Sequence, residues 1–223
     1  MTGPTHRQFS VCGAFIAAIL IYRMGLSEVN YYLALPILIL TSRYGAQFPD
    51  FDHEWRSVGN KTVPTWIINK LIHLTGGRHR CWQTHSIDIV VVAALMTYFV
   101  PDIMLSTGKI STVNKEVISI ISMGFMSGWI SHMIADMLTS AGVRLVCFMK
   151  FKIAFVPKQI FSFRFNTGHD WEAFNYKIVR FANILLGVVC LVYPAIHSGL
   201  VIRLINATLE SELATSIIGG LAR

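Results

Sequence analysis

The residues with the clearest chemical potential lie in the apolar stretch Met123–Gly142, MGFMSGWISHMIADMLTSAG. His132 and Asp136 stand four apart, so a helix stacks them on one face about one turn from each other. Gly124, Gly128 and Ser140 continue the same spacing. The stripe opens with residues that permit close backbone approach and leads into an imidazole and a carboxylate. A carboxylate inside an apolar helix is costly unless it is paired or coordinates a cation. This helix alone admits two readings: a pair of metal ligands, or a buried His–Asp hydrogen bond that only holds structure.

Further imidazoles and carboxylates come in short clusters. In Pro49-Asp50-Phe51-Asp52-His53 the two carboxylates alternate at i and i+2. An extended segment would turn both to one side and let them bridge a cation, whereas a turn would use them as caps. His79-Arg80 and Thr84-His85-Ser86 bring two imidazoles and a guanidinium together within seven residues. Thr84 is placed to cap a following helix, and Ser86 or Asp88 to orient a histidine through its second ring nitrogen. His6 reads either as a solvated terminal residue or as a ligand. His169-x-x-Glu172 has helical spacing beside a turn and is weak alone, and His73, in an apolar patch, reads as packing. Imidazoles and carboxylates without thiolates favour zinc, or else manganese or iron, over a structural cysteine site. A catalytic zinc needs about three protein ligands and an open position, so the set suffices for one to three ions. Zinc lowers the pKa of water to about 7, which supplies a nucleophile for ester attack at neutral pH. The planar fork of Arg80 matches phosphate oxygens.

The elements that must position these groups are membrane-like. The chain has 223 residues, 53% hydrophobic and 14% charged, with mean hydropathy +0.54. A soluble domain carries about a quarter charged residues. Apolar segments run over Gln8–Tyr22, Val29–Ser42, Ile87–Met104, Val117–Gly142 and Phe181–Ile202. Spanning takes about 20 apolar residues, and the last segment meets this most cleanly. The sequence therefore predicts an all-α polytopic membrane protein, a single domain over 1–223 with about five membrane helices. A period-two pattern, Phe151, Ile153 and Phe155 and then Phe161, Phe163 and Phe165, predicts a short β-hairpin or extended pair near 150–165. The four cysteines form no CxxC pair and suggest no disulfide framework. The net charge of +7 sits beside apolar segments, which suits an anionic membrane surface and gives no reason to expect nucleic acid. Of the 19 Lys and Arg, six fall in 43–88 and seven in 144–180. Those loops are two crossings apart, hence on one side. The positive-inside rule makes that side, and the N-terminus, cytoplasmic. His6, Asp50, Asp52, His79, Arg80, His85, His132, Asp136 and Glu172 then converge on one membrane face.

As an ordered set these motifs resemble the bacterial YdjM-like inner-membrane proteins, described as LexA-regulated, predicted metal-dependent hydrolases. The matching pieces are His6, Pro49-Asp50-Phe51-Asp52-His53, His79-Arg80 with Thr84-His85-Ser86, and Gly128-Trp129-Ile130-Ser131-His132 through Asp136 to Thr139 with Gly142. Glu172 looks like the acidic residue the family carries before its last membrane segment. The resemblance covers roughly residues 1–175. More remotely, the family is similar to zinc-dependent phospholipase C and the P1-type nucleases, helical proteins with a cluster of zinc ions, a likeness of fold only. The family spacing between His-Arg and Thr-His-Ser is usually two residues with glycine first, while here Cys81-Trp82-Gln83 stands between. The family often has proline after the threonine matching Thr139, where this chain has Ser140, which would let the helix run on.

The expectation is a membrane-bound hydrolase of the bacterial inner membrane, acting on a phosphoester or phospholipid at the cytoplasmic face. His6, Asp52, His85, His132 and Asp136 are the expected metal ligands. Asp50 and Glu172 serve as further ligands or general base, and His79 and Arg80 hold or protonate the substrate. Membrane lipids are the expected partners. Two other classes stay open: an ion- or proton-coupled transporter, and a non-catalytic scaffold with a structural metal or a His–Asp network.

Overall fold

The computed structural model describes residues 3–25, 28–55, 61–78, 80–139, 142–144, 146–148, 152–154, 170–197, 199 and 208. Five long helices occupy the five apolar segments: α1 (Gly3–Arg23), α2 (Glu28–Gly45), α5 (Ile87–Ser106), α6 (Thr112–Met137) and α7 (Asp170–His197). Among the described residues three of them, α5, α6 and α7 from Ala173, are long and apolar enough to cross a membrane. α1 and α2, of 21 and 18 residues, are not among these three. Between α2 and α5 lie a 3-10 turn at Pro49–Asp52, helix α3 (Val63–Leu74) and a single helical turn, α4 (Trp82–His85).

Of α5, α6 and α7, α6 is the most buried, and it packs against α2, α1 and α5. Its glycines make this possible. A Cβ on Gly124 would overlap the Thr41 hydroxyl, and one on Gly128 would overlap the Ser42 carbonyl and lie 2.8 Å from the Ala46 nitrogen. From the other side, a Cβ on Gly45 would overlap the Phe125 carbonyl. The α2–α6 contact is therefore backbone against backbone, the arrangement small residues permit in membrane helices. Hydroxyls cross-link the same seam: Ser42 donates to the Ser10 carbonyl at 2.7 Å, and Ser127 to Ser42 at 3.1 Å.

One apolar cluster joins Phe15, Ala18 and Ile21 of α1 to Tyr31, Leu35 and Leu38 of α2 and Cys190 of α7. Pro194 lies inside α7 and has no N–H to give the Cys190 carbonyl. The Tyr31 hydroxyl takes that role at 3.0 Å, and Tyr32 donates to the Leu191 carbonyl at 2.9 Å. α5 turns Val91, Val92, Leu95, Met96 and Phe99 outward, a face suited to hydrocarbon.

Two elements differ from expectation. α6 stops at Met137, short of Gly142: Thr139 turns its hydroxyl back onto the Asp136 carbonyl at 2.8 Å, and Gly142 adopts φ 60°. A hairpin forms, but Lys152–Ile153 (β2) pairs with Val143–Arg144 (β1), upstream in sequence. The expected partner strand around Phe161–Phe165 lies outside the described residues. The period-two pattern identified an extended segment without identifying its partner.

Gly128→Ala should destabilise the protein by about 1–3 kcal/mol through overpacking. The outward-facing Val91→Ala should stay within about 0.5 kcal/mol. Thermal unfolding of both variants in the same detergent checks this, and equal midpoints would contradict the close-packed seam.

Candidate metal centre

Four separate elements deliver side chains to one buried point. α6 contributes His132 and Asp136, α1 contributes His6, α4 contributes His85, and the 3-10 turn contributes Asp50. His6, His85, His132 and Asp136 are all nearly inaccessible. Asp136 is the hub. Its Oδ1 lies 3.6 Å from His6 Nε2, and its Oδ2 lies 3.5 Å from His85 Nε2 and 3.6 Å from His132 Nε2. The His6 and His132 rings stack with centroids 3.8 Å apart. Two groupings have ligand atoms within 4.8 Å of one another: His6, His132 and Asp136, all buried, and Asp50, His85 and His132. His132 belongs to both. Spacings of 3.5–3.6 Å lie at or beyond the outer limit of a good hydrogen bond. They are near the edge of a tetrahedron whose centre is about 2.0–2.1 Å from each donor, the zinc–nitrogen distance.

The histidines are aimed from behind. His132 Nδ1 donates to the Ala46 carbonyl at 2.6 Å, which leaves the Nε2 lone pair facing Asp136. That Nε2 is buried and has no hydrogen-bond partner. Ala46 reaches His132 because Gly128, one turn earlier, lets α2 come close. Behind His85, Thr84 donates to Asp52 Oδ2 at 2.9 Å and so accepts from His85 Nδ1, also at 2.9 Å. Asp52 Oδ2 lies 3.2 Å from the same nitrogen and also takes the Cys81 N–H at 3.0 Å. Trp129 on α6 ties this turn down by donating to the Thr84 carbonyl at 2.9 Å. Burial alone would lower the pKa of His85. The carboxylates of Asp136 and Asp52 outweigh it and raise it above the usual 6.5.

The expected residues thus divide. His6, His85, His132 and Asp136 come together, and Asp50 joins through its Oδ1, 3.9 Å from His132 Nε2. Asp52 belongs to neither grouping; its contacts described above lie on the far side of His85. Ser86 and Asp88 do not orient a histidine as expected. Ser86 donates to the Trp82 carbonyl and Asp88 accepts the Ile89 and Cys147 N–H groups, while Thr84 and Asp52 take the orienting position. Thr84 accordingly caps no helix. Arg80, despite the longer spacing to Thr84, reaches Asp136 Oδ1 at 3.3 Å. His73 is exposed, its Nε2 3.2 Å from the His53 carbonyl, so the packing reading does not hold. His79, His169 and the side chain of Glu172 lie outside the described residues. Sequence reasoning missed the Ala46 carbonyl, for which the spacing Gly128-x-x-x-His132 was the available signal.

The family model described as YdjM inner membrane protein matches residues 1–205. Proteins named inner membrane protein YdjM, from Escherichia coli (strain K12) and Shigella flexneri, are each 29% identical to this chain over 161 residues, which cover 71% of it and 72% of the relative. No solved structure matches the chain. With its apolar helices and a match over most of its length, the chain is a membrane protein belonging to the YdjM family.

Proposed function

We propose that this protein is a metal-dependent hydrolase acting on a phosphoester or phospholipid at the cytoplasmic face of the inner membrane. The observation that carries the reading is His132 Nε2: fully buried, without a hydrogen bond, and surrounded by two further imidazoles and a carboxylate. An unpaired nitrogen at such a position costs about 1–3 kcal/mol, a cost that coordination of an ion would remove. Zinc suits the donor set best. A bound divalent ion would acidify water and polarise a phosphoryl oxygen.

In this reading His6, His85, His132 and Asp136 are ligands. Asp52 orients His85 through Nδ1 and raises its basicity, which revises its expected role as a ligand. Asp50, whose side chain is about a third exposed, is accessible enough to act as general base or as a further ligand. Arg80 holds phosphate. Glu172 and His79 keep the roles of base and substrate holder on the resemblance alone. Five crossings with a cytoplasmic N-terminus are part of the proposal and would set the site at lipid headgroup level, within reach of a lipid ester. The Arg80–Asp136 pair favours one rival, a His–Asp network that merely holds helices together.

Purified native protein should contain stoichiometric transition metal, and His132→Ala should lose it. Metal-free native protein whose thermal stability falls on His132→Ala would leave the structural network as the account. Metal without turnover of any phosphoester or lipid in a broad panel would make the ion structural. Asp52→Asn should retain metal but bind it about 10–100-fold more weakly.

Proton and metal compete for His85. Its raised pKa means that the proton stabilises the metal-free fold fully below 6.5, and that this contribution disappears as pH rises through the folded value. Metal affinity runs the other way and should begin to fall above pH 6.5 as the solution is acidified. Dialysis against a weak chelator over a pH series measures this, and retention that stays flat until well below 6.5 would contradict it.

A further inference from the structure

The hairpin beside the site is short yet firmly held. Two residues per strand cannot stabilise a sheet alone. Val143 is buried among Val90, Met126, Trp129 and Met133. Gly142 is in the left-handed region, with the Ile153 carbonyl 2.6 Å from where a Cβ would sit. Arg144 bridges to Ser86, the residue after His85, and the Cys147 N–H reaches Asp88 Oδ2 at 2.9 Å. The hairpin is thus pinned to the junction that carries His85.

Its register sets Arg144 directly opposite Lys152. Like charges directly opposite each other destabilise a strand pair. Arg80 adds a third cation nearby, held at φ 58°, a conformation that strains a residue other than glycine. The Nε atoms of Arg80 and Arg144 are both buried without a hydrogen-bond partner. Burial first, and then the charges of Arg80 and Arg144, lower the pKa of Lys152, while Asp136 works against them. Repulsion, backbone strain and two unsatisfied guanidinium donors meet at one place, beside the carboxylate at the centre of the candidate metal site. One anion placed among the three side chains would offset the repulsion and accept hydrogen bonds from the guanidinium groups.

We propose that Arg80, Arg144 and Lys152 form a binding site for the phosphoryl group of an anionic ligand. That this ligand is the substrate rests on the hydrolase reading above; the anion site itself does not. Two guanidinium forks and one ammonium suit a phosphomonoester-type group with several free oxygens, carried either by a soluble molecule or by a lipid headgroup.

Calorimetric titration of the full-length protein in detergent with inorganic phosphate tests the site. Titration of the protein in nanodiscs of phosphatidylcholine with and without phosphatidic acid forms the second arm. Lys152 is exposed, so Lys152→Gln leaves no cavity and should weaken binding about tenfold. The double variant Arg144→Gln/Lys152→Gln should abolish it, and the charge-preserving Arg144→Lys/Lys152→Arg should restore most of it. Binding of phosphate alone identifies a soluble ligand, and binding of phosphatidic acid alone a lipid. No binding of either by the native protein, or equal binding by native protein and Lys152→Gln, overturns the proposal. Metal content measured on the same samples separates the two readings. Variant-sensitive anion binding without metal sinks the hydrolase and leaves this site standing; metal without anion binding does the reverse.

Discussion

The approach of α6 to α2 is the constraint on which the site depends. At Gly128 any side chain would collide with the backbone of α2, and at Gly124 with the Thr41 hydroxyl. That proximity brings the Ala46 carbonyl to His132 Nδ1 at 2.6 Å. The carbonyl fixes the tautomer, and the tautomer decides that Nε2 points at Asp136 as a lone pair. His132 is buried away from solvent that could replace a lost partner, so helix packing and imidazole orientation are one problem with one solution. The seam of Ser10, Ser42 and Ser127 runs along the same contact and holds α1 in place, which in turn stacks His6 on His132.

Around that fixed pair the electrostatics are layered. Asp136 faces three imidazoles and one guanidinium. Behind His85 a second carboxylate, Asp52, is satisfied by a hydroxyl and a backbone N–H. The inner carboxylate therefore faces a concentration of nitrogen donors, and the outer one orients the ring between them. A simple His–Asp hydrogen bond would need neither the stacked His6 nor the second layer. Arg80 contacts Asp136, and Arg80 and Arg144 both act on Lys152 in the hairpin, a gathering of positive charge that suits an anionic ligand.

Much of this was legible in the sequence because it depends on spacing. The four-residue stripe of Gly124, Gly128, His132 and Asp136 specified both the buried face and what it presents. The charge count put His6, Asp50, His85 and His132 on one side before any contact was visible, and these residues do meet. The role of Asp52 was not legible, because i, i+2 carboxylates in an extended segment share a side, whereas Pro49–Asp52 is a 3-10 turn that separates them. The pairing of β2 with β1 was not legible either. Alternation reports which residues share a face and says nothing about which strand lies alongside. Thr84 looked like a helix cap because a threonine before an apolar run usually is one; the neighbouring carboxylate and imidazole offered its hydroxyl a better bond.

The most direct measurement is an anomalous difference map, collected at the zinc absorption edge from crystals of full-length protein grown with zinc. The account predicts a peak about 2.0–2.2 Å from His132 Nε2 and in bonding reach of Asp136 and His6 or His85. A map in which these four side chains are well ordered and no peak lies among them, with His132 Nε2 hydrogen-bonded to Asp136 instead, would contradict it.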